Sequence, residues 1–124
     1  MAKILAVDDS LELLELFSTL LIAQGYEVET TSSSDNLKNA LLTFSPDLIL
    51  MDVMFGIEDG RELCREIKDM HNKNIPIILI SANVDLLKDY KKCKADAVIE
   101  KPFNIKNLVE VVSRVLNEYE MAGY

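Results

Sequence analysis

Residues 47–52 read Asp47-Leu48-Ile49-Leu50-Met51-Asp52, and this stretch decides the fold. Four apolar side chains stand in a row between two carboxylates, with no alternation of apolar and polar positions. A strand with one wet face alternates, whereas a strand covered on both faces does not, so residues 47–51 read as a central strand of a parallel sheet. Four further short runs lie on either side: Lys3–Val7, a more polar segment at Tyr26–Thr30, Ile75–Ile80 and Ala97–Ile99. The segments between them have helical spacing. Leu13, Phe17, Leu20 and Leu21 share one face, and Gly25 ends that helix. Ser32 to Asp35 offer N-cap residues ahead of Leu37, Ala40, Leu41 and Phe44, with Ser45-Pro46 as the stop. A loop containing Gly56 and Gly60 leads to Leu63, Cys64 and Ile67. Residues 84–93 form the weakest helical pattern, Val84, Leu87 and Tyr90 among lysines. Leu108, Val111, Val112, Val115 and Leu116 mark the last helix.

Strict alternation of strand and helix implies right-handed crossovers and a parallel sheet with helices on both faces. Five such units in 124 residues make one domain over residues 1–124: an α/β, doubly wound, five-stranded, flavodoxin-like sheet with strand order 2-1-3-4-5.

Composition narrows the function. The formal net charge is −8, so nucleic-acid phosphates and anionic membrane surfaces would repel the chain. A cation or a basic protein partner suits it better. Cys64 and Cys93 form no C-x-x-C pair and have no nearby histidine, which argues against zinc and for free thiols in a reducing compartment. Met1-Ala2-Lys3 runs straight into a strand, without a leader pattern, and no apolar run approaches the ~20 residues of a membrane helix. The expected location is the cytoplasm.

In sheets of this class the ligand site lies beyond the carboxyl ends of the strands. At those ends stand Asp8-Asp9, Asp52, Ser81 and Lys101. Each alone has a plain explanation, as a helix cap, a turn residue or a solvated cation. Together they place three carboxylates, a hydroxyl and an ammonium on one sheet edge. Clustered carboxylates repel, and a hard divalent ion with oxygen ligands, Mg²⁺ or Mn²⁺, relieves the repulsion. Lys101 and Ser81 then suit phosphoryl oxygens, and Asp52, on the central strand, suits the nucleophile. G-x-x-x-x-G-K and G-x-G-x-x-G are both missing, which excludes P-loop and dinucleotide chemistry. A phosphatase forming a covalent aspartyl phosphate remains an alternative. The D-x-D pattern of the haloacid dehalogenase type is broken, however, because Met54 stands two residues beyond Asp52.

With Asp8-Asp9, Asp52, Ser81-Ala82 and Lys101-Pro102-Phe103 in this order, the whole chain resembles the receiver domain of two-component response regulators, the CheY-like class. The resemblance implies that Asp52 takes a phosphoryl group from a phosphohistidine on a sensor histidine kinase or histidine phosphotransfer protein, and that the chain switches contacts with a downstream protein rather than working as an enzyme. It implies Mg²⁺ held by Asp9, Asp52 and the Met54 backbone carbonyl with help from Asp8, phosphoryl binding by Ser81, Ala82 and Lys101, and a cis peptide before Pro102. Three positions depart from the family pattern. Val98 replaces the usual aromatic switch residue, Gly56 stands where proline is common, and Lys94 stands where glycine is common and a positive φ would be strained. Met54 and Asn83 occupy positions that tune water attack on the acyl phosphate, and a methionine cannot orient water, so a long-lived phosphoryl group is expected. His71 is expected on a helix-to-strand loop away from the site. About two dozen residues follow Lys101, room for the last helix alone, so a stand-alone receiver is expected ahead of one excised from a larger regulator. With Val98 in place of the aromatic, a phosphorylation-independent scaffold is a further alternative.

Overall fold

The chain threads five parallel strands through five helices, and the order of the strands follows from which runs are buried on both sides. A computed structural model describes residues 1–70 and 74–122. The strands of the main sheet are β1 (Lys3–Val7), β2 (Glu27–Thr31), β3 (Leu48–Asp52), β4 (Ile77–Ser81) and β5 (Ala97–Glu100), and a short antiparallel pair, Met54–Phe55 with Glu58–Asp59, forms a hairpin after β3. The main-sheet strands hydrogen-bond in the order β2-β1-β3-β4-β5, all parallel. The helices are α1 (Leu11–Ala23), α2 (Ser34–Thr43), α3 (Gly60–Met70), α4 (Val84–Leu87) and α5 (Ile105–Met121). His71 lies outside the described residues.

The unbroken apolar run of β3 has a simple cause. Ile49 and Met51 enter one core, with Leu5, Val7, Leu79 and the inner faces of α2 and α3. Leu48 and Leu50 enter the other, with Ile4, Ala6, Ile78, Ile80 and the inner faces of α1 and α5. Side chains alternate across a strand, so two cores demand apolar residues at every position. The edge strand β2 has water on one flank and reads Glu-Val-Glu-Thr-Thr with mostly exposed side chains.

Helix starts are built by side-chain caps. Ser10, Ser33, Asn83 and Asn104 each accept a backbone N–H of the following first turn. Such caps contribute about 1 kcal/mol each, and those of α1, α4 and α5 hold helix starts at the carboxyl edge of the sheet.

The structure shifts several expected boundaries. β3 runs one residue further than expected and includes Asp52, and β4 starts at Ile77 rather than Ile75 and includes Ser81. The helix expected over 84–93 is divided: α4 has four residues, and a 3-10 turn covers Tyr90–Cys93. Leu87 alone in that segment is fully buried, while Leu86, Tyr90 and Cys93 pack half-buried against the core, so packing does not enforce a continuous helix. Lys94 follows with φ 65°, the left-handed conformation that favours glycine. Ser45 ends α2 in the same region at φ 52°, with its N–H bonded to the Ala40 carbonyl. The following Pro46 disfavours a helical Ser45.

At the opposite end of the strands a polar latch ties four elements. Lys68 Nζ, on α3, donates to Asp96 Oδ2 at 2.7 Å and to the Tyr119 hydroxyl of α5 at 2.8 Å. The Tyr119 hydroxyl donates to Asp96 Oδ1 at 2.6 Å, and the Ile77 N–H at the start of β4 donates to Asp96 Oδ2 at 2.8 Å. The Lys68 side chain is only 7% exposed, so removing its counter-charge strands a buried ammonium. Asp96→Ala should destabilise the fold by about 3 kcal/mol, and Tyr119→Phe by about 1 kcal/mol, read as a fall in the urea midpoint at constant slope. Equal midpoints for Asp96→Ala and the parent would refute this role.

Candidate functional site

Asp8 follows β1, Asp52 closes β3, Ser81 closes β4 and Lys101 follows β5. Parallel register brings these four strand ends to one edge. Asp52 is paired across the ladder with Ile80, and Ser81 with Glu100. The Lys101 N–H then bonds the Ser81 carbonyl at 2.9 Å, which carries the lysine over the end of β4.

The side chains meet there. Lys101 Nζ lies 3.1 Å from Asp8 Oδ2 and 3.4 Å from Asp52 Oδ2. Asp8, Asp9 and Asp52 can each offer one carboxylate oxygen, all within 4.8 Å of one another. Asp8 is almost fully buried and its Oδ1 accepts the Ser10 N–H at 2.9 Å, whereas Asp9 is exposed. Asp9 Oδ2 accepts the Gly56 N–H at 3.0 Å, so the loop after β3 is clipped to the acidic pair. Asp52 is buried, and its Oδ1 accepts the Met54 N–H at 3.3 Å. Burial first, and the Asp8 charge second, push the Asp52 carboxyl above its usual range, while Lys101 and the Met54 amide oppose them.

This donor set fits a hard divalent cation. One ammonium faces three carboxylates, which leaves uncompensated negative charge, and oxygen donors at this spacing suit Mg²⁺ or Mn²⁺. Asp8, Asp9 and Asp52 would supply side-chain oxygens, with waters completing the shell.

Not every residue singled out from the sequence joins the cluster. Ser81 is buried at its rim, its Oγ accepting the Asn83 N–H at 3.0 Å. Ala82 and Asn83 are exposed beside it, and Asn83 caps α4 through the Asp85 N–H. The Met54 side chain is exposed. The Lys101–Pro102 peptide is cis. Val98 stands apart from the polar groups. It is half-buried with Leu86, Tyr90 and Cys93 against the core that α3 and α4 cover. Cys64 is buried, its thiol pushed up to about 12 by desolvation, and Cys93 is half-buried; both are free.

One residue that matters to the site carried no sequence signal beyond being a glycine. Gly60 opens α3, and its N–H donates to the Val53 carbonyl. A Cβ at this position would collide with the Asp52 carbonyl oxygen and stand 3.1 Å from the Val53 Cα. Only glycine lets α3 start this close to the strand end that carries Asp52.

The chain has clear relatives among known proteins. The family model described as response regulator receiver domain matches residues 4–113. The chain is 36% identical over 121 residues to the transcriptional regulatory protein CpxR homolog of Haemophilus influenzae, covering 94% of this chain and 51% of that protein. It is 32% identical over 124 residues to the heme response regulator HssR of Staphylococcus saprophyticus, covering 98% of this chain and 54% of that protein. It thus spans about half the length of these curated relatives. Among solved structures, the chemotaxis response regulator CheY4 of Vibrio cholerae superimposes with a TM-score of 0.84 at 31% identity, over 93% of this chain and 98% of that one. The receiver domain of NtrX from Brucella abortus gives 0.84 at 30% identity, over 92% and 98%. No helix among the described residues is long and apolar enough to cross a membrane.

Proposed function

The chain belongs to the response regulator receiver domain family, and from that premise we propose that Asp52 is its phosphoacceptor. The observation that carries this reading is the placement of Asp52 beside the acidic pair and 3.4 Å from Lys101 Nζ, which also reaches Asp8. A carboxylate oxygen of Asp52 attacks the phosphorus of a phosphohistidine on a sensor histidine kinase or histidine phosphotransfer protein. The new P–O bond forms as the P–N bond breaks, and the leaving imidazole takes up a proton. Lys101 meets a phosphoryl oxygen as a point charge, and the burial of Asp8 and Asp52 strengthens that attraction. A bound Mg²⁺ would neutralise charge on the transferring oxygens. The chain's part is to receive and hold the group, so its role is signalling rather than turnover.

Phosphorylation adds a charge of about −1.5 to −2 and three acceptor oxygens at Asp52. Ser81 Oγ, the acceptor of the Asn83 N–H, is the hydroxyl at the end of the neighbouring strand. Turning it toward a phosphoryl oxygen releases Asn83, the cap of α4. A four-residue helix followed by a 3-10 turn has little packing to resist that pull. The readout then passes through α4 and the face where Val98, Leu86 and Tyr90 pack, without the usual aromatic side chain on β5.

The test is intact mass after treatment with acetyl phosphate and Mg²⁺. A phosphate-sized gain in the parent and none in Asp52→Ala is the expected result, and equal gain in both sinks the assignment. The label should persist for minutes or longer, because the exposed Met54 thioether is only a weak acceptor and holds an attacking water poorly. Loss within seconds in the absence of a phosphatase would contradict this. Steady release of phosphate would instead support a phosphatase.

A further inference from the structure

The loop after β3 is a built element, and one of its amides enters the acidic site. Met54–Phe55 pairs antiparallel with Glu58–Asp59, so Gly56 and Ile57 form a two-residue hairpin turn. Gly56 has φ +60° and Ile57 is not left-handed, the pattern of a type II′ turn, which takes glycine at its first position. The hairpin is braced from below. Phe55 is buried in the core under α2 and α3, and Glu58 Oε1 accepts the Ser34 hydroxyl of α2 at 3.0 Å. The far arm ends at Gly60, whose N–H closes on the Val53 carbonyl. The turn therefore holds the Gly56 amide in a fixed direction.

That direction matters for Asp9. Asp8 and Asp52 are buried, and each is held by a backbone N–H and by Lys101. Asp9 is exposed. Among the described residues its side chain has one hydrogen bond and no ion pair, and that bond comes from the Gly56 N–H to Oδ2 at 3.0 Å. Without it, repulsion from the other two carboxylates would turn Asp9 toward water. A carboxylate has about four acceptor positions, so the amide leaves the other Asp9 oxygen open to a cation. A proline, common at this position in the family, has no N–H to give and a φ fixed near about −65°. The bond is thus a property of this chain.

We propose that the Gly56 amide is a positioning group for the divalent cation: it holds the Asp9 carboxylate in the site and so couples metal binding to the hairpin after β3. The inference rests on Asp8, Asp9 and Asp52 forming the cation site of the phosphoacceptor reading. Hydrogen-bond partners of metal ligands are worth about 10- to 100-fold in metal affinity, and an exposed bond belongs at the lower end, about tenfold. Coupling is reciprocal, so a bond that tightens the metal about tenfold is itself tightened about tenfold by the metal.

Mn²⁺ is the probe, and its dissociation constant is read from the paramagnetic resonance of the free ion in the presence of the full chain. Glycolate in place of Gly56, introduced at a stop codon with a tRNA carrying the hydroxy acid, replaces only the N–H by an ester oxygen. This protein should bind Mn²⁺ about tenfold more weakly than the parent. Glycolate in place of Gly25 is the control. Gly25 also has a positive φ, +94°, and its N–H bonds the Ile22 carbonyl away from the site. That ester should stay within about twofold of the parent, and so should Gly56→Ala, which keeps the N–H. In the parent, saturating Mg²⁺ should slow hydrogen exchange at the Gly56 amide about tenfold and leave the Gly25 amide unchanged. The proposal is overturned if the Gly56 ester binds Mn²⁺ as tightly as the parent or more tightly, or if the Gly25 ester loses as much. It is overturned equally if Mg²⁺ leaves Gly56 exchange unchanged, a measurement that decides alone should the ester not fold. Acetyl phosphate labelling of the parent reads the acceptor separately. A labelled parent with an indifferent Gly56 ester sinks only the role of the amide, and a parent that binds Mn²⁺ but takes no label sinks the acceptor reading. A parent that binds no Mn²⁺ overturns this inference together with the cation site.

Discussion

Gly60→Ala is expected to destabilise the fold by about 3 kcal/mol and to slow phosphorylation by acetyl phosphate by about 100-fold. The reason is local and steric. The atoms a new Cβ would meet are the carbonyl oxygen of Asp52 and the Cα of Val53, both main chain, so no side chain can rotate away. Either the start of α3 lifts off, breaking the bond from the Gly60 N–H to the Val53 carbonyl, or the end of β3 moves. The second response displaces Asp52 from Lys101, and a misplacement of about 1 Å is enough to produce a rate loss of that order. Gly56→Ala is the contrast. Its Cβ would meet nothing within 4 Å, but its φ is +60°. A left-handed non-glycine residue costs about 1 kcal/mol, so this variant should lose a little stability and keep its labelling. Urea midpoints and labelling rates separate the two. A Gly60→Ala protein as stable and as fast as the parent would show that α3 can shift without cost.

Asp52→Asn should be more stable than the parent at neutral pH without Mg²⁺, and should take up no phosphate. The Asp52 carboxyl is held above its ordinary value of 3.8, by burial first and by Asp8 second. Between 3.8 and that raised value the folded state holds more protons than the unfolded one. Stability therefore falls as pH rises through this window, and the penalty is present in full above it. Asparagine carries no such penalty, so the variant gains on the parent as pH rises and the difference closes below about 3.8. Added Mg²⁺ should stabilise the parent by mass action and the variant less, because the variant offers one carboxylate fewer. Thermal melts between pH 4 and 7, with and without Mg²⁺, read both effects. A parent more stable than the variant at pH 7 without metal would mean that the Lys101 contact outweighs burial.

Much of the site was legible in the chain because each of its members sits where a periodic pattern stops. Asp8, Asp52 and Ser81 are found by following an apolar run to its end, and Lys101 by its place before Pro102. What periodicity could not show is which of these groups touch. The lysine contacts Asp8 at 3.1 Å and Asp52 at 3.4 Å, across 93 and 49 positions of chain. The division of residues 84–93 into a short helix and a 3-10 turn was equally hidden. A helical pattern in that segment says which face could pack, and the poor supply of core contacts says whether it does. The Lys68–Asp96–Tyr119 latch left no trace in any local pattern, since its three residues belong to α3, a loop and α5.

The alternation of strands and helices, the central position of the run ending at Asp52 and the edge on which the polar residues gather can all be read along the chain. Those follow from local periodicity and from the right-handedness of parallel crossovers, which hold segment by segment. It took the packed fold to show that Gly60 must be glycine, that the Gly56 amide clips Asp9 and that Lys101 lies between two carboxylates. These depend on distances between segments far apart in the chain, which are set when the helices close over both faces of the sheet.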